Sequence, residues 1–326
     1  MMLARVPARP LLGWLAFGVA MCLLPLFATT GTVRMLIFAH FLAMFAMSWD
    51  IISGRTGYIS FGHPFLIGLA AYTTGMLTYH LDTPLWLSIP AAVAVTMAGG
   101  TLFFLPALRI RGTYFALVTL AFMELMYQLT QVVAPKITGG TRGLSGIPTL
   151  VSGAVPNYYL TFGVMFAIGV GLWLLVRTRL GAALSAIRMD EEAVAASGLS
   201  TIRLKLFAFM VSAAVAGVGG ALYVHYLGSV APRGLFDINF LFTILVAALL
   251  GGASTIVGPI MGAYFLTFLL EYLRPVIPGP ERYVIYGIVA LVVYVLEPRG
   301  LYHMAGALRE AAIRRLGVLR TGGTGS

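Results

Sequence analysis

The chain has 326 residues, of which 60% are hydrophobic and only 10% charged, and its mean hydropathy is +0.94. A soluble domain carries about 25% charged residues, so a soluble enzyme and a nucleic-acid binder are set aside. The net charge of +10 instead reads as the Lys/Arg excess that polytopic membrane proteins keep on their cytoplasmic side.

The apolar runs are continuous, as in residues 206–224, whereas a spanning barrel shows ~10-residue alternating segments. The fold class is therefore an all-α polytopic membrane protein. A spanning helix needs about 20 mostly apolar residues, and the pattern predicts about ten spans: 11–29, 33–53, 62–80, 85–108, 113–132, 157–176, 206–227, 238–251, 257–273 and 282–297. The first follows a basic start, MMLARVPARP, and resembles a signal peptide, yet no A-x-A-like cleavage site follows it. It is expected to remain as an uncleaved span. The eighth is short and ends at Gly251-Gly252, so the eighth and ninth are expected to form a re-entrant or tightly turned pair.

Asp82-Thr83-Pro84 and Pro278-Gly279-Pro280 are turn connections in which Pro forbids a continuing helix. The longest connection on that side, 133–156, contains TGGTRGLSGIP (138–148). It is too polar to span, and stands either as a structured external loop or as a re-entrant stretch lining a cavity. With the N-terminus in the cytoplasm and alternating spans, only Arg34, Lys136, Arg142, Arg233, Arg274 and Arg282 fall outside. That leaves 15 of the 21 basic residues inside, so both termini are expected in the cytoplasm. The organisation is then a cytoplasmic N-terminus (1–10), one membrane domain (11–297) and a cytoplasmic tail (298–326) whose TGGTGS end is expected to be disordered.

One hydrophilic island interrupts this chain. Residues 177–205 hold Arg177, Arg179, Arg188, Arg203 and Lys205 together with Asp190, Glu191 and Glu192. Gly181 to Ser197 are good helix formers and Gly198 is a suitable stop. Leu184, Ile187 and Val194 make a narrow apolar face. Such a helix either lies on lipid or enters a partner's groove. A lipid-surface helix is rich in Lys and Arg with bulky apolar residues; three successive acids and many alanines favour a protein partner.

Within the spans, Glu124 stands near the middle of ALVTLAFMELMYQLTQ, where a charge is expensive. Two readings remain open for it: a pathway group, or a carboxyl tying helices together. Asp50, near the end of the second span, either reaches the interface or pairs with Arg55. His40, His63 and His225 lack a ligand spacing such as H-E-x-x-H, so no metal is expected. No GxxxxGK[ST] loop and no G-x-S-x-G elbow occurs, so no cofactor is expected and any ATP is hydrolysed by another subunit. Gly217-Val-Gly-Gly-Ala221 and Gly258-Pro-Ile-Met-Gly262 are small-residue runs that let membrane helices pack closely.

The stretches AIRMDEEAVAASGLSTIRLKLFAFMVSAAVAGVGGALY (186–223), GRTGYISFGHPFLIGLAAYTTGML (54–77), RIRGTYFALVTLAFMELMYQL (109–129), TGGTRGLSGIP (138–148) and LLGGASTIVGPIMGAYFL (249–266) together resemble LivM-type permeases. These are the membrane subunits of branched-chain amino acid ABC importers. The resemblance runs in order over about residues 35–302. It implies an ABC importer permease in a bacterial inner membrane, paired with a homologous second permease subunit, two cytoplasmic ATPases and a periplasmic solute-binding protein. By position it places the ATPase-coupling helix on Ala186, Ile187, Arg188, Asp190, Glu191, Glu192, Ala193 and Gly198. Asp50, His63 and Glu124 are the candidates for the translocation pathway. Pro64 follows His63 where that family commonly has Ala, which leaves urea, amides and aromatic acids beside branched-chain amino acids as solutes. The competing reading is a secondary transporter driven by protons through Glu124 and Asp50. A membrane enzyme is disfavoured, because no paired catalytic spacing is present.

Overall fold

The computed structural model describes residues 8–306 except Leu108, Arg111, Ala134, Pro278, Pro280, Pro298, Arg299 and Ala305. The first seven residues of the expected N-terminal segment, and the tail beyond Gly306, lie outside the described residues.

Each of the ten apolar segments is helical: α1 (Ala8–Leu23), α2 (Thr30–Trp49), α3 (His63–His80), α4 (Leu85–Ala107), α5 (Thr113–Gln128), and, beyond the four-residue α6 (Pro135–Thr138), α7 (Ala154–Leu175). After the short α8 (Arg179–Met189) and α9 (Glu191–Ala196) come α10 (Thr201–Leu227), the four-residue α11 (Pro232–Leu235), α12 (Ile238–Gly251), α13 (Val257–Leu273) and α14 (Arg282–Leu296). Six stretches among the described residues are long and apolar enough to cross a membrane: Thr30–Gly54, Leu85–Ala107, Thr113–Val132, Ala154–Leu175, Thr201–Leu227 and Pro232–Gly251. The stretches Leu12–Leu26 and Val257–Leu273 are apolar but shorter. By that measure six helices, rather than ten, reach spanning length.

α2 is the centre of the bundle. It packs on α7, α10, α12 and α13, and 89% of its most apolar window is buried inside the protein. A helix walled by protein can carry polar groups that lipid would refuse, and α2 does. His40 bonds Thr161 of α7 through Nδ1 at 2.9 Å, and the Ser48 hydroxyl donates to the Ser212 carbonyl of α10 at 2.9 Å. A π-helical turn, Asp50–Gly54, continues α2.

A second central helix is α10, which packs on α2, α3 and α4. Its Gly217-Val-Gly-Gly run explains how one helix reaches three neighbours. A side chain at Gly217 would come 3.2 Å from the Val93 Cα of α4, one at Gly219 2.8 Å from the Phe45 ring of α2, and one at Gly220 3.1 Å from the Ile67 Cα of α3. One glycine therefore serves each neighbour, the small-residue packing that replaces hydrophobic drive between membrane helices.

α12 and α13 form the expected tightly turned pair. Gly251, Gly258 and Gly262 bring their backbones together, since a Cβ on Gly262 would strike the Ala247 carbonyl. The connecting turn holds Ser254 at φ 71° and Ile256 at φ 62°. Positive φ is unusual for any side chain and an outlier for a β-branched one, a strain of about 1–3 kcal/mol each that the surroundings must hold. The segment 138–148 takes the structured-loop form: its strand β1 (Leu144–Ser145) pairs antiparallel with β2 (Ser229–Val230), Leu144 opposite Val230. His225 of α10 bonds the Pro148 carbonyl at 2.7 Å through Nδ1 and Thr74 of α3 at 2.8 Å through Nε2, which fixes this loop to the helix ends.

Gly220→Val is expected to destabilise the bundle by about 1–3 kcal/mol through overpacking, read as a lowered midpoint in thermal unfolding of the detergent-solubilised protein. Val at the flanking position 218, which is the native residue, shows that the helix itself tolerates the side chain.

Candidate functional site

The hydrophilic island is built as an elbow. The single helix expected from Gly181 to Ser197 is two helices, α8 and α9, broken at Asp190, whose φ and ψ of −160° and 104° are extended. The Asp190 carboxylate accepts from the amides of Glu192 at 2.9 Å and Ala193 at 3.0 Å. An Asp with acids behind it is a strong helix start, and here it outcompetes continuation of α8. The D-E-E triplet carried that signal in the sequence. Gly198, at φ 86°, ends the elbow as expected. Leu184, Ile187 and Val194 are buried at 0%, 4% and 7% exposure, so the expected apolar face is real and turned toward the bundle. The outer surface carries Asp190, Glu192, Ala193, Ala195 and Ala196, and Met189 at the bend is 89% exposed.

Contacts made by three basic residues fix the elbow. Arg188 reaches inward, its Nη1 donating to the Gly54 carbonyl of the α2 extension at 2.6 Å. Lys205, only 2% exposed, donates from Nζ to Glu191 Oε1 at 2.9 Å and to the Tyr58 hydroxyl at 3.1 Å, and lies 4.3 Å from the centre of the Tyr58 ring. The Tyr58 hydroxyl in turn donates to the other oxygen of Glu191. Arg177, where the island begins, stacks on Trp173 with its Cζ 3.9 Å from the ring centre. Burial raises the Glu191 carboxyl, but the hydrogen bonds from Tyr58 and Lys205 and the Lys205 charge outweigh it and hold it below the usual carboxylate value. Glu191, read from the sequence as a surface charge for a partner, is therefore an internal tie. Tyr58 and Lys205 were not singled out by the sequence, because 133 and 147 residues of separation hide such a contact.

The candidate pathway residues do not converge. His63 is buried among α3, α10 and α2, its Nε2 3.1 Å from the Ser212 hydroxyl, and it ties helices. Asp50 is fully buried and accepts from the Ser254 amide in the α12–α13 turn. Glu124 is exposed on α5, accepting from the Gln128 side chain at 2.7 Å. No hydrogen bond or ion pair joins these three among the described residues. Glu124 instead opens into a cleft of about 740 Å³ between α5 and the α11–α12 corner, lined also by Leu120, Tyr127, Arg233, Phe236 and Asp237. Asp237 starts α12, accepting from the Asn239 amide at 3.0 Å, so the cleft has a polar floor beside a helix start. Arg233 entered the sequence reading only as a basic residue outside, and Asp237 was not singled out.

A second groove of about 480 Å³ runs between α2, α10, α12 and α13. Its walls include Phe38, Phe41, Phe45, Tyr223 and Phe240, with Arg34 and the Glu271–Arg274 pair also on its lining. Among the described residues no cluster of His, Cys, Asp and Glu is fit to hold a metal.

Residues 31–294 match the family described as the permease component of branched-chain amino acid transport systems. The chain belongs to this family. The matched span runs from the start of α2 into α14, so it takes in the elbow, the buried core and the cleft together. Among curated relatives, the high-affinity branched-chain amino acid permease protein LivM of Escherichia coli is 29% identical over 309 residues, covering 86% of this chain and 72% of its own length. The autoinducer 2 import permease LsrC of Enterobacter is 26% identical, with 86% and 89% covered, and the ribose import permease RbsC of Haemophilus influenzae 24%, with 58% and 61% covered. No solved structure matches. The permease is thus a multi-pass inner-membrane transport subunit, and its relatives carry chemically different solutes.

For the permease's elbow the sign of the pH effect follows from Glu191. Its carboxyl is lowered in the folded state, so the tie is fully present above the ordinary value of 4.5 and is lost as pH falls through the lowered folded value. Hydrogen-exchange protection at residues 190–198, taken relative to the intrinsic rate at each pH, is expected to fall over that acid range, and Lys205→Met, which leaves Glu191 without its cation, is expected to lower it already at neutral pH. Breaking a buried pair from one side costs about 3 kcal/mol; unchanged exchange in the variant removes the tie from the account.

Proposed function

We propose that this chain is one of two homologous permease subunits in an ATP-driven importer, with the elbow as the dock for a cytoplasmic ATPase. The family match across residues 31–294 carries this reading. The elbow supports it: it is the charged island of an oily chain, it is fixed to the core by Arg188 and Glu191, and it leaves Met189 and an alanine-rich face uncovered. Two ATPase subunits beneath, a periplasmic solute-binding protein above and cytoplasmic termini complete the assembly. The permease itself needs no cofactor, because its partners bind and hydrolyse the ATP.

The cleft between α5 and the α11–α12 corner is proposed as this subunit's half of the pathway. Glu124 and Arg233 are both exposed there, and charges facing lipid are expensive whereas charges facing a water-filled cavity are common. The second subunit covers the cleft and closes it into a conduit. The solute is a branched-chain amino acid or a related small molecule such as an amide, urea or an aromatic acid; the E. coli relative, whose alignment extends over most of both chains, favours the first. The binding protein delivers the solute to the mouth. ATP-driven closure of the ATPases moves the elbows, and the helices fixed to them reorient. Nucleotide drives this only by binding the two states with different affinity.

The proton-driven alternative needs a route between Glu124 and Asp50, and no hydrogen bond leads from one to the other among the described residues. Uptake in the reconstituted complex is expected to survive collapse of the proton gradient and to stop when ATP is withdrawn; the opposite pattern selects the proton-driven transporter. Met189→Asp is expected to leave the subunit inserted and to cut solute-stimulated ATP hydrolysis at least about tenfold, measured on the purified assembly. Normal stimulation in that variant moves the dock elsewhere.

A further inference from the structure

The proposed function leaves Asp50 without a role. It is a fully buried carboxylate inside a π-helical turn, and π-turns inside helices are frequent at functional positions. Two structures meet across this turn. On one side Arg188 of the elbow donates to the Gly54 carbonyl at 2.6 Å, and its Cγ lies 3.3 Å from where a Cβ on Gly57 would stand. On the other side the Asp50 carboxylate accepts from the Ser254 amide. Gly54 stands between the two: a Cβ on it would strike the Asp50 carboxylate and come 2.9 Å from the Ser254 nitrogen.

The far partner is the strained element of the fold. Ser254 and Ile256 both hold positive φ without being glycine, and such a conformation persists only where the surroundings impose it. The bond that the Ser254 amide donates to Asp50 is a restraint of that kind, since losing the acceptor would leave a part-buried N–H unpaired. The turn also has leverage. It joins α12, whose first residues Asp237 and Ile238 line the cleft, to α13, which packs against α2.

We propose that Asp50 is a positioning residue that clasps the α12–α13 turn to the extension of α2 and so links the elbow to the cleft. This rests on the reading of the elbow as an ATPase dock. The carboxylate acts as a hydrogen-bond acceptor for the Ser254 amide, and its charge and titration are not used. That sets it apart from a proton carrier, for which the ionisable group is indispensable.

The test uses the assembled complex, comparing basal and solute-stimulated ATP hydrolysis with uptake. Asp50→Asn keeps an acceptor oxygen and is expected to hold stimulation within about threefold of the parent, while Asp50→Ala and Gly54→Ala lose at least about tenfold with basal hydrolysis retained. Ser254→Gly accepts φ 71° without strain but restores no bond to the α2 extension, so Asp50→Ala combined with Ser254→Gly is expected to stay as uncoupled as Asp50→Ala; full stimulation in the double variant overturns the clasp. Asp50→Asn as inactive as Asp50→Ala overturns the clasp in favour of an ionisable role, and so does an Asp50→Ala complex with full stimulation. Should Asp50→Ala fail to assemble, the Asp50→Asn result decides alone. A parent complex whose uptake ignores ATP overturns the dock itself, and is distinguished by appearing without any substitution.

Discussion

A lysine ammonium buried at 2% exposure organises one end of this molecule. A charge taken out of water is tolerated only where partners surround it, and Lys205 draws its partners from two separate pieces of chain. Tyr58 comes from the link after α2, and Glu191 from the start of α9. Meeting that single requirement brings the island back onto the bundle, so that a segment with the composition of a solvent loop becomes a fixed projection. The remaining island contacts, Arg188 on Gly54 and the buried face of Leu184, Ile187 and Val194, extend the same attachment along its length. An unanchored loop would absorb a push from a partner; an anchored elbow passes it on.

The helical class and the position of every apolar helix were legible in the sequence, because length and continuous hydropathy are local properties. The buried face of the island was legible for the same reason. Other features were not. The break at Asp190 was masked by the helix formers on either side, although the D-E-E triplet is itself a helix-start signal, and the capping geometry decides between one helix and two. The pairing of β1 with β2 joins two-residue strands across 83 intervening positions, too short for any periodicity. Glu124 was found because a carboxylate in an apolar run stands out, whereas Arg233 was passed over because a basic residue beside Pro and Gly looks like ordinary loop chemistry. The structure places both on one cleft.

Asp50 and Glu124 show how similar residues acquire different meanings. Each is an acid in an apolar segment, and composition treats them alike. Asp50 is fully buried in the turn that continues α2, beside α10, and has a backbone donor from the α12–α13 turn aimed at it. Glu124 faces outward from α5 with only Gln128 one turn away. One is committed inside the subunit, the other is available to whatever fills or covers the cleft.

The burial of α2 also sets an order of events during synthesis. Its polar residues are among the first to leave the ribosome, yet His40 waits for Thr161, Ser48 for Ser212 and Asp50 for Ser254, partners made 121, 164 and 204 residues later. Until α7, α10 and the α12–α13 turn arrive, this apolar helix has no protein around it to receive its imidazole, hydroxyl and carboxyl groups. A nascent α2 therefore has reason to linger at the insertion machinery rather than drift into lipid, and the bundle closes around this early helix last.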